Sequence, residues 1–407
     1  MNFIEAEMLL KEHEQLQILD GFEDLAASQQ QELLDQIANI DWDVIALAKE
    51  HKAVERGELA PLGAVEVQEI KSKEDEFKAA GVEAIRQGKI GAVLLAGGMG
   101  TRLGLEIPKG AMDIGETKEL YIFECLVNNM MDVVKETGTF FPLYIMTSDK
   151  NHDDTVSFFT EHNYFGYDSS FVKFFRQDMA AAVDYDGKLL KEAPGKLATS
   201  PNGNGGWFTS MAKAGLLTDV HRKNIQWLNI FAVDNVLQRI ADPVFVGATL
   251  LSGYEAGGKV IRKAFPEEKL GVLCQEDGQP SIVEYYEMTD DMVNLRDDKG
   301  DLLYNFGVTL NYLFKVEKLE EIMKNHMPVH IVEKKIPYIT ADGTYVKPEE
   351  PNGYKFETLV VDMIRMMDHC LPFEVIREKE FAPIKNLHGV DSLDTARELM
   401  KKNNVTL

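Results

Sequence analysis

The chain has 407 residues, 45% hydrophobic and 27% charged, an ordinary globular mix that accommodates one large domain with appendages or two to three domains. Its net charge of −24 excludes nonspecific adhesion to nucleic acid or to an anionic membrane, both of which depend on clustered Lys and Arg. No apolar run reaches the roughly 18 residues that span a bilayer, the N-terminus lacks a cationic signal-peptide start, and Cys125, Cys274 and Cys370 are too scattered for a disulfide framework or a zinc site. A cytoplasmic protein with reduced, structural cysteines is expected.

Residues 1 to about 88 read as helical. Leu9, Leu10, Leu16 and Leu19 fall near helical spacing, Ser28 with Gln31 suggests a capping box opening a helix over 29–39, and a further helix over 74–87 stops at Gly88. From Ile90 onward strands and helices alternate, with strands expected over 92–96, 143–147 and 225–233. That alternation predicts an α/β fold: three α/β/α layers, Rossmann-like, around a mixed and mostly parallel sheet that binds ligands at the carboxyl ends of its strands. Later come a β-hairpin over 270–287 turning at Asp277-Gly278, a polar turn over 294–300 and a last helix over 392–401. The expected division is a helical region 1–88, a catalytic domain 89–355 and a short C-terminal segment 356–407.

The stretch 92–110 carries the strongest chemistry. An apolar strand leads into Gly97, Gly98 and Gly100, which are expected to take left-handed torsions and let backbone N–H groups approach anionic oxygens. Thr101 follows, then Arg102, whose planar fork suits phosphate, and Lys109, a point charge. Neither common glycine motif fits: the dinucleotide fingerprint would need glycine at Leu103, and the P-loop would need Ser or Thr after Lys109, where Gly110 and Ala111 stand.

Four further signals follow, the run 201–206 the strongest of them. Gln177 could bond a base edge, although an isolated Gln is more often a surface or capping residue. Pro201-Asn202-Gly203-Asn204-Gly205-Gly206 is either a tight turn before a helix near Trp207, or a place where Gly203 lies flat against a base or ribose while Asn204 bonds it. Asp234, at the end of a strand, either holds Mg²⁺ against a phosphate or caps a helix. Glu284 could accept two sugar hydroxyls or be an ordinary strand glutamate.

Together G-G-x-G-T-R-L-x(4)-P-K-G at 97–110 and P-N-G-N-G-G at 201–206 resemble the signatures of the UDP-sugar pyrophosphorylases, within them the UDP-N-acetylglucosamine enzymes. Segments 334–338, 347–356 and 381–386 follow in the family's order, so the resemblance covers roughly 80 to 390. It implies a uridylyltransferase that makes a UDP-sugar and pyrophosphate from UTP and a sugar 1-phosphate, with Mg²⁺. The glycine loop with Arg102 and Lys109 would then hold the triphosphate and Lys385 the phosphates from the opposite side. Gln177, Gly203 and Asn204 would take the uridine, Asp234 the metal, and Gly271, Glu284 and Lys355 the sugar.

Departures from the family fall in the sugar pocket. Val308 stands where the family has an asparagine, and Leu359 and Val361 where it has two phenylalanines. Loss of the amide predicts relaxed or altered sugar choice, glucose or galactose 1-phosphate included, unless Asn311 takes over the contact. Family members continue past the counterpart of Lys385 into a small β-rich domain, whereas this sequence ends at Leu407, and a monomer is expected. The alternatives are a glucose 1-phosphate or broad-specificity enzyme, and an inactive UDP-sugar-binding relative.

Overall fold

The computed structural model describes residues 1–50, 56–325 and 327–407, and for 49 and 50 the backbone alone. The chain divides into two units: Met1–Glu55 with Asp178–Gly206 and Met327–Val360, and Arg56–Gln177 with Trp207–His326 and Val361–Leu407. Both are assembled from segments far apart in sequence, whereas the sequence reading cuts the chain at 88/89 and 355/356; 51–55 of the expected helical region lie outside the described residues.

In the larger unit ten described strands make one sheet: β1 Leu59–Pro61, β2 Ile90–Leu95, β3 Leu143–Thr147, β4 Val172–Arg176, β5 Trp227–Ala232, β6 Ala256–Arg262, β7 Val272–Glu276, β8 Gln279–Val283, β9 Phe306–Lys315 and β10 Cys370–Glu374. β4, β3, β2 and β5 lie side by side and parallel. β9 is antiparallel to β5 and to β6, and β10 runs parallel to β6. β7 meets β9 at Val272 opposite Gly307 and pairs with β8 and β1. This is the mixed α/β sheet expected, with helices on both sides.

Every residue of β2 and β3 is buried, as a sheet covered on both faces requires. One cover is the helix Val67–Arg86, longer than expected and ended by the left-handed Gly88. It packs backbone to backbone on the helix Pro243–Ser252: a Cβ on Gly81 would stand 1.9 Å from the Pro243 carbonyl oxygen, and one on Gly247 1.7 Å from that of Phe77. The hairpin β7–β8 turns at Asp277 and Gly278, both at positive φ, as an Asp-Gly pair favours. Burial pushes all three cysteine thiols up to about 12 and none is bonded to another.

In the smaller unit Leu10, Ile18, Leu33 and Ile37 pack with Val183, Leu189, Leu197, Tyr354 and Phe356. Buried Gln15 joins two segments, donating to the Gly187 carbonyl and accepting the Leu189 N–H, each at 2.9 Å. The helix Ala27–Ala38 starts two residues earlier than expected: Gln29 bonds the Ala26 N–H, and Gln31 bonds Asp35 instead. Among the described residues no helix is long and apolar enough to cross a membrane.

Candidate active site

The carboxyl ends of the parallel strands carry several of the residues singled out in the sequence. β2 runs into the glycine loop, β3 into Ser148 and Asn151, β4 into Gln177, and β5 into Asp234. Loop 97–109 folds back on itself: Gly100 N–H donates to Ile107 O at 3.0 Å and Lys109 N–H to Gly98 O at 3.2 Å.

The glycines work differently from expectation. Gly97, Gly98 and Gly100 do not adopt left-handed torsions; that geometry falls on Gly104, at φ 73 after the turn Thr101–Leu103. What Gly97 and Gly100 supply is room. A Cβ on Gly97 would lie 3.0 Å from Gln177 Oε1, and one on Gly100 2.9 Å from Leu105 Cβ, whereas Gly98 faces open space. Gln177 is thus seated on Gly97, with its N–H bonded to Thr147 O at 2.7 Å.

Asn151 was not singled out in the sequence, yet it fixes the loop. Fully buried, it donates to Ala96 O at 2.9 Å and to Gly98 O at 3.3 Å while accepting the Ser148 N–H at 2.8 Å. These bonds satisfy carbonyls at the strand end, where the sheet ladder has stopped.

Around this loop Lys109 pairs with Asp234, and the charges of Arg102 and Lys385 act on Lys109. Lys109 Nζ lies 3.7 Å from Asp234 Oδ2, the side chains 16% and 23% exposed. Burial pulls the Lys109 ammonium below the ordinary lysine value; Asp234 opposes this, and repulsion from Lys385 and Arg102 adds to it. Exposed Arg102 makes no ion pair among the described residues. Lys385 comes from the far end of the chain: Ile384 N–H donates to Asp234 O at 2.9 Å, and Asn235 clamps the same segment, accepting the Ala382 N–H and donating to Glu380 O. Asp391 holds the Lys385 ammonium at 2.9 Å and takes its backbone N–H as well.

On the other flank of β9, Gly271, Glu284 and Val308 come together. Val308 N–H donates to Gly271 O at 2.9 Å, and a Cβ on Gly271 would stand 3.2 Å from Glu284 Oε1. Val361, in the same unit, is half-buried. Asn311 is a correction: it is fully buried, its oxygen accepts from Asn229 at 2.8 Å and its nitrogen faces Gln238 and Arg239 O, so its amide is committed to the core and unavailable to a sugar.

The smaller unit holds Gly203, Asn204, Lys355 and Leu359. Gly203 has φ +86 and a Cβ there would sit 2.2 Å from Thr358 O; Gly205 N–H donates to that same oxygen at 2.8 Å, and Val360 N–H to Asn204 Oδ1 at 2.9 Å. The glycine run is therefore required first by the backbone at Thr358–Val360, and the helix Trp207–Lys213 follows it. Lys355 lies opposite Val332 in a small sheet, and Leu359 is half-buried.

A mixed α/β sheet whose parallel strands end in a glycine loop, Lys109, Asp234 and the incoming Lys385 segment has the architecture of an α/β protein with its site at the carboxyl ends of the strands. The sequence pattern of the UTP–glucose-1-phosphate uridylyltransferase family matches residues 19–406, and the chain belongs to that family. It is 34% identical to the UDP-N-acetylglucosamine pyrophosphorylase of Saccharomyces cerevisiae over 97% of this chain and 88% of that one. It is 38% identical to the human UDP-N-acetylhexosamine pyrophosphorylase-like protein 1 over 79% of this chain. The chain spans 65%, 62% and 64% of the human, mouse and Xenopus tropicalis proteins of that name. The structure of the Trypanosoma brucei UDP-N-acetylglucosamine pyrophosphorylase superposes with a TM-score of 0.82 at 27% identity, covering 97% of this chain and 83% of that one.

Proposed function

We propose that the chain is a uridylyltransferase that converts UTP and N-acetylglucosamine 1-phosphate into UDP-N-acetylglucosamine and pyrophosphate. The observation that carries this reading is the Lys109–Asp234 pair at the strand ends, with Arg102 and Lys385 near enough for their charges to act on Lys109, in a chain whose net charge is −24. A protein so acidic has to build a local cationic site to bring two phosphorylated substrates together. The sugar follows from the names of the relatives matched over nearly the full chain.

A phosphate oxygen of the sugar 1-phosphate attacks the α-phosphorus of UTP, the bond to the β-phosphate breaks, and pyrophosphate leaves with the electron pair. Such transfers need in-line positioning and charge cancellation more than covalent help. Lys109, held in place by Asp234, acts on the charge that accumulates on the leaving group. Arg102 clamps the triphosphate, and Lys385 leaves Asp391 to neutralise the phosphates. The loop amides from Gly97 to Thr101 contribute further donors, and Gln177, seated on Gly97, reads the uracil edge. Gly203 and Asn204 are assigned to the uridine, and Lys355, Leu359 and Val361 to the sugar, by motif resemblance alone.

Among the described residues no three His, Cys, Asp or Glu side chains gather into a metal cage. One carboxylate beside a phosphate site is nonetheless the donor set that suits Mg²⁺, which takes one or two protein carboxylates together with substrate phosphates. Asp234 would hold it, and the ion would supply charge neutralisation at the phosphates.

A second reading, use of glucose or galactose 1-phosphate, is favoured by Val308. Half-buried beside Gly271, it offers no amide to an N-acetyl group, and an unpaired buried amide costs about 1–3 kcal/mol, roughly 5- to 150-fold. Comparing kcat/KM for the three sugar 1-phosphates with UTP tests both. The N-acetylated sugar is expected to be used, with a preference over the others below about 10³-fold. Absence of turnover with every sugar phosphate would refute the proposal.

A further inference from the structure

Arg56 lies 231 residues before its partner Glu287, yet its whole guanidinium is engaged. Nε donates to Glu287 Oε1 at 3.1 Å and Nη2 to Glu287 Oε2 at 2.6 Å, a two-pronged grip on one carboxylate. Nη2 also donates to Ile282 O at 3.0 Å, and Nη1 to Glu276 Oε2 at 2.8 Å. Glu276 is a firm anchor: its side chain is 1% exposed and takes further bonds from Arg365 at 2.6 Å, Ser281 at 2.9 Å and the Gly57 N–H at 2.8 Å.

Glu287 in turn reaches the proposed sugar site. The Oε2 gripped by Arg56 also accepts the backbone N–H of Glu284 at 2.9 Å, so one carboxylate oxygen ties the clamp to the residue whose side chain lies against Gly271. Glu284 follows directly on the last residue of β8, and its carbonyl accepts the Glu287 N–H at 2.9 Å. A carboxylate meant to accept two hydroxyls at once must be aimed closely.

We infer that Arg56 is a positioning residue for sugar recognition, acting on Glu284 through Glu287; this rests on the sugar role given to Glu284 above. Lysine cannot replace it, because a single ammonium cannot grip Glu287 with two prongs and reach Glu276 and Ile282 O together.

The test is a double-mutant cycle on the full chain, with UTP and N-acetylglucosamine 1-phosphate each varied in turn. Arg56→Lys is expected to lower kcat/KM for the sugar phosphate by about 10- to 10²-fold, the size of effect that a misplaced contact gives, while KM for UTP stays within about 2-fold. In a Glu284→Ala background the same change is expected to cost less than about 2-fold, since residues that act through one another are not additive. Additive losses, an equal loss for both substrates, or no loss would each overturn the inference. Should Arg56→Lys fail to fold, Glu287→Gln in the same two backgrounds gives the same readings. If Glu284→Ala leaves the sugar phosphate kinetics at the wild-type level, the sugar role of Glu284 fails and takes the inference with it. If Glu284→Ala impairs them and Arg56→Lys does not, the inference alone fails.

Discussion

Replacing Lys109 by alanine removes the most enclosed cation of the proposed site. At about 4 Å and an effective dielectric of about 20, one unit charge acting on another is worth about 4 kcal/mol. Part of that survives the substitution, because Arg102 and Lys385 stand close enough to perturb Lys109 and remain to share the phosphate charge. Another part is already spent in the free protein on Asp234 at 3.7 Å. A net loss of about 3 kcal/mol corresponds to roughly 10²-fold in kcat, at the low end of what single electrostatic contacts supply. UDP-sugar binding should weaken less, below about 10-fold, because the developing charge belongs to the transition state. Asp234, left without its lysine, would then repel the phosphates, so Lys109→Ala combined with Asp234→Ala should lose less than the sum of the single losses. Pyrophosphate release at saturating substrates gives kcat, and calorimetry gives the UDP-sugar affinity. A Lys109→Ala enzyme keeping most of its kcat would remove Lys109 from the mechanism.

The lowered Lys109 pKa has a pH signature: the ammonium is lost as pH rises, earlier than for an ordinary lysine near about 10.4. The alkaline fall of kcat/KM for UTP should therefore begin below that value and that of kcat at higher pH than the fall of kcat/KM, since bound phosphate favours the charged form, and Lys109→Arg should move both limbs upward. Asp234→Asn should raise the Mg²⁺ concentration giving half-maximal rate, an amide being the weaker ligand for a hard cation; an unmoved titration would make Asp234 a partner of Lys109 only. Gly203→Ala should lower stability by at least about 2 kcal/mol, since its φ of +86 is strained for alanine and its Cβ would meet Thr358 O at 2.2 Å, and thermal melting reads this directly. A wild-type melting temperature would show that the loop can move aside.

How much was legible follows from how local each signal is. β2, the glycine loop and Lys109 are contiguous, so their spacing carried both strand and chemistry, and the Asp-Gly hairpin and the Gly88 helix stop are written in two or three residues each. Gly97 and Gly100 were recognised for the wrong reason, because sequence says that a side chain is unwelcome without saying whether torsion or a neighbour such as Gln177 forbids it. Asn151 went unnoticed, since an asparagine ahead of the helix His152–Glu161 looks like a cap, although its side chain turns to Ala96 and Gly98. Asn311 was misread because its burial depends on Asn229 and Gln238, brought together only by the pairing of β5 with β9. Nothing in the first 50 residues reveals that they share a core with Val183 and Phe356, for those contacts join segments distant in sequence.

The central claim is that the cations gathered at the strand ends transfer a uridylyl group. Its most direct test is to mix the purified chain with UTP, Mg²⁺ and N-acetylglucosamine 1-phosphate and to count pyrophosphate and UDP-sugar together. The expected result is one pyrophosphate per UDP-sugar, abolished when the sugar phosphate is omitted and cut by roughly 10²-fold in Lys109→Ala. Tight UDP-sugar binding without pyrophosphate release from any sugar 1-phosphate would contradict it and leave a binding protein on an enzyme's scaffold.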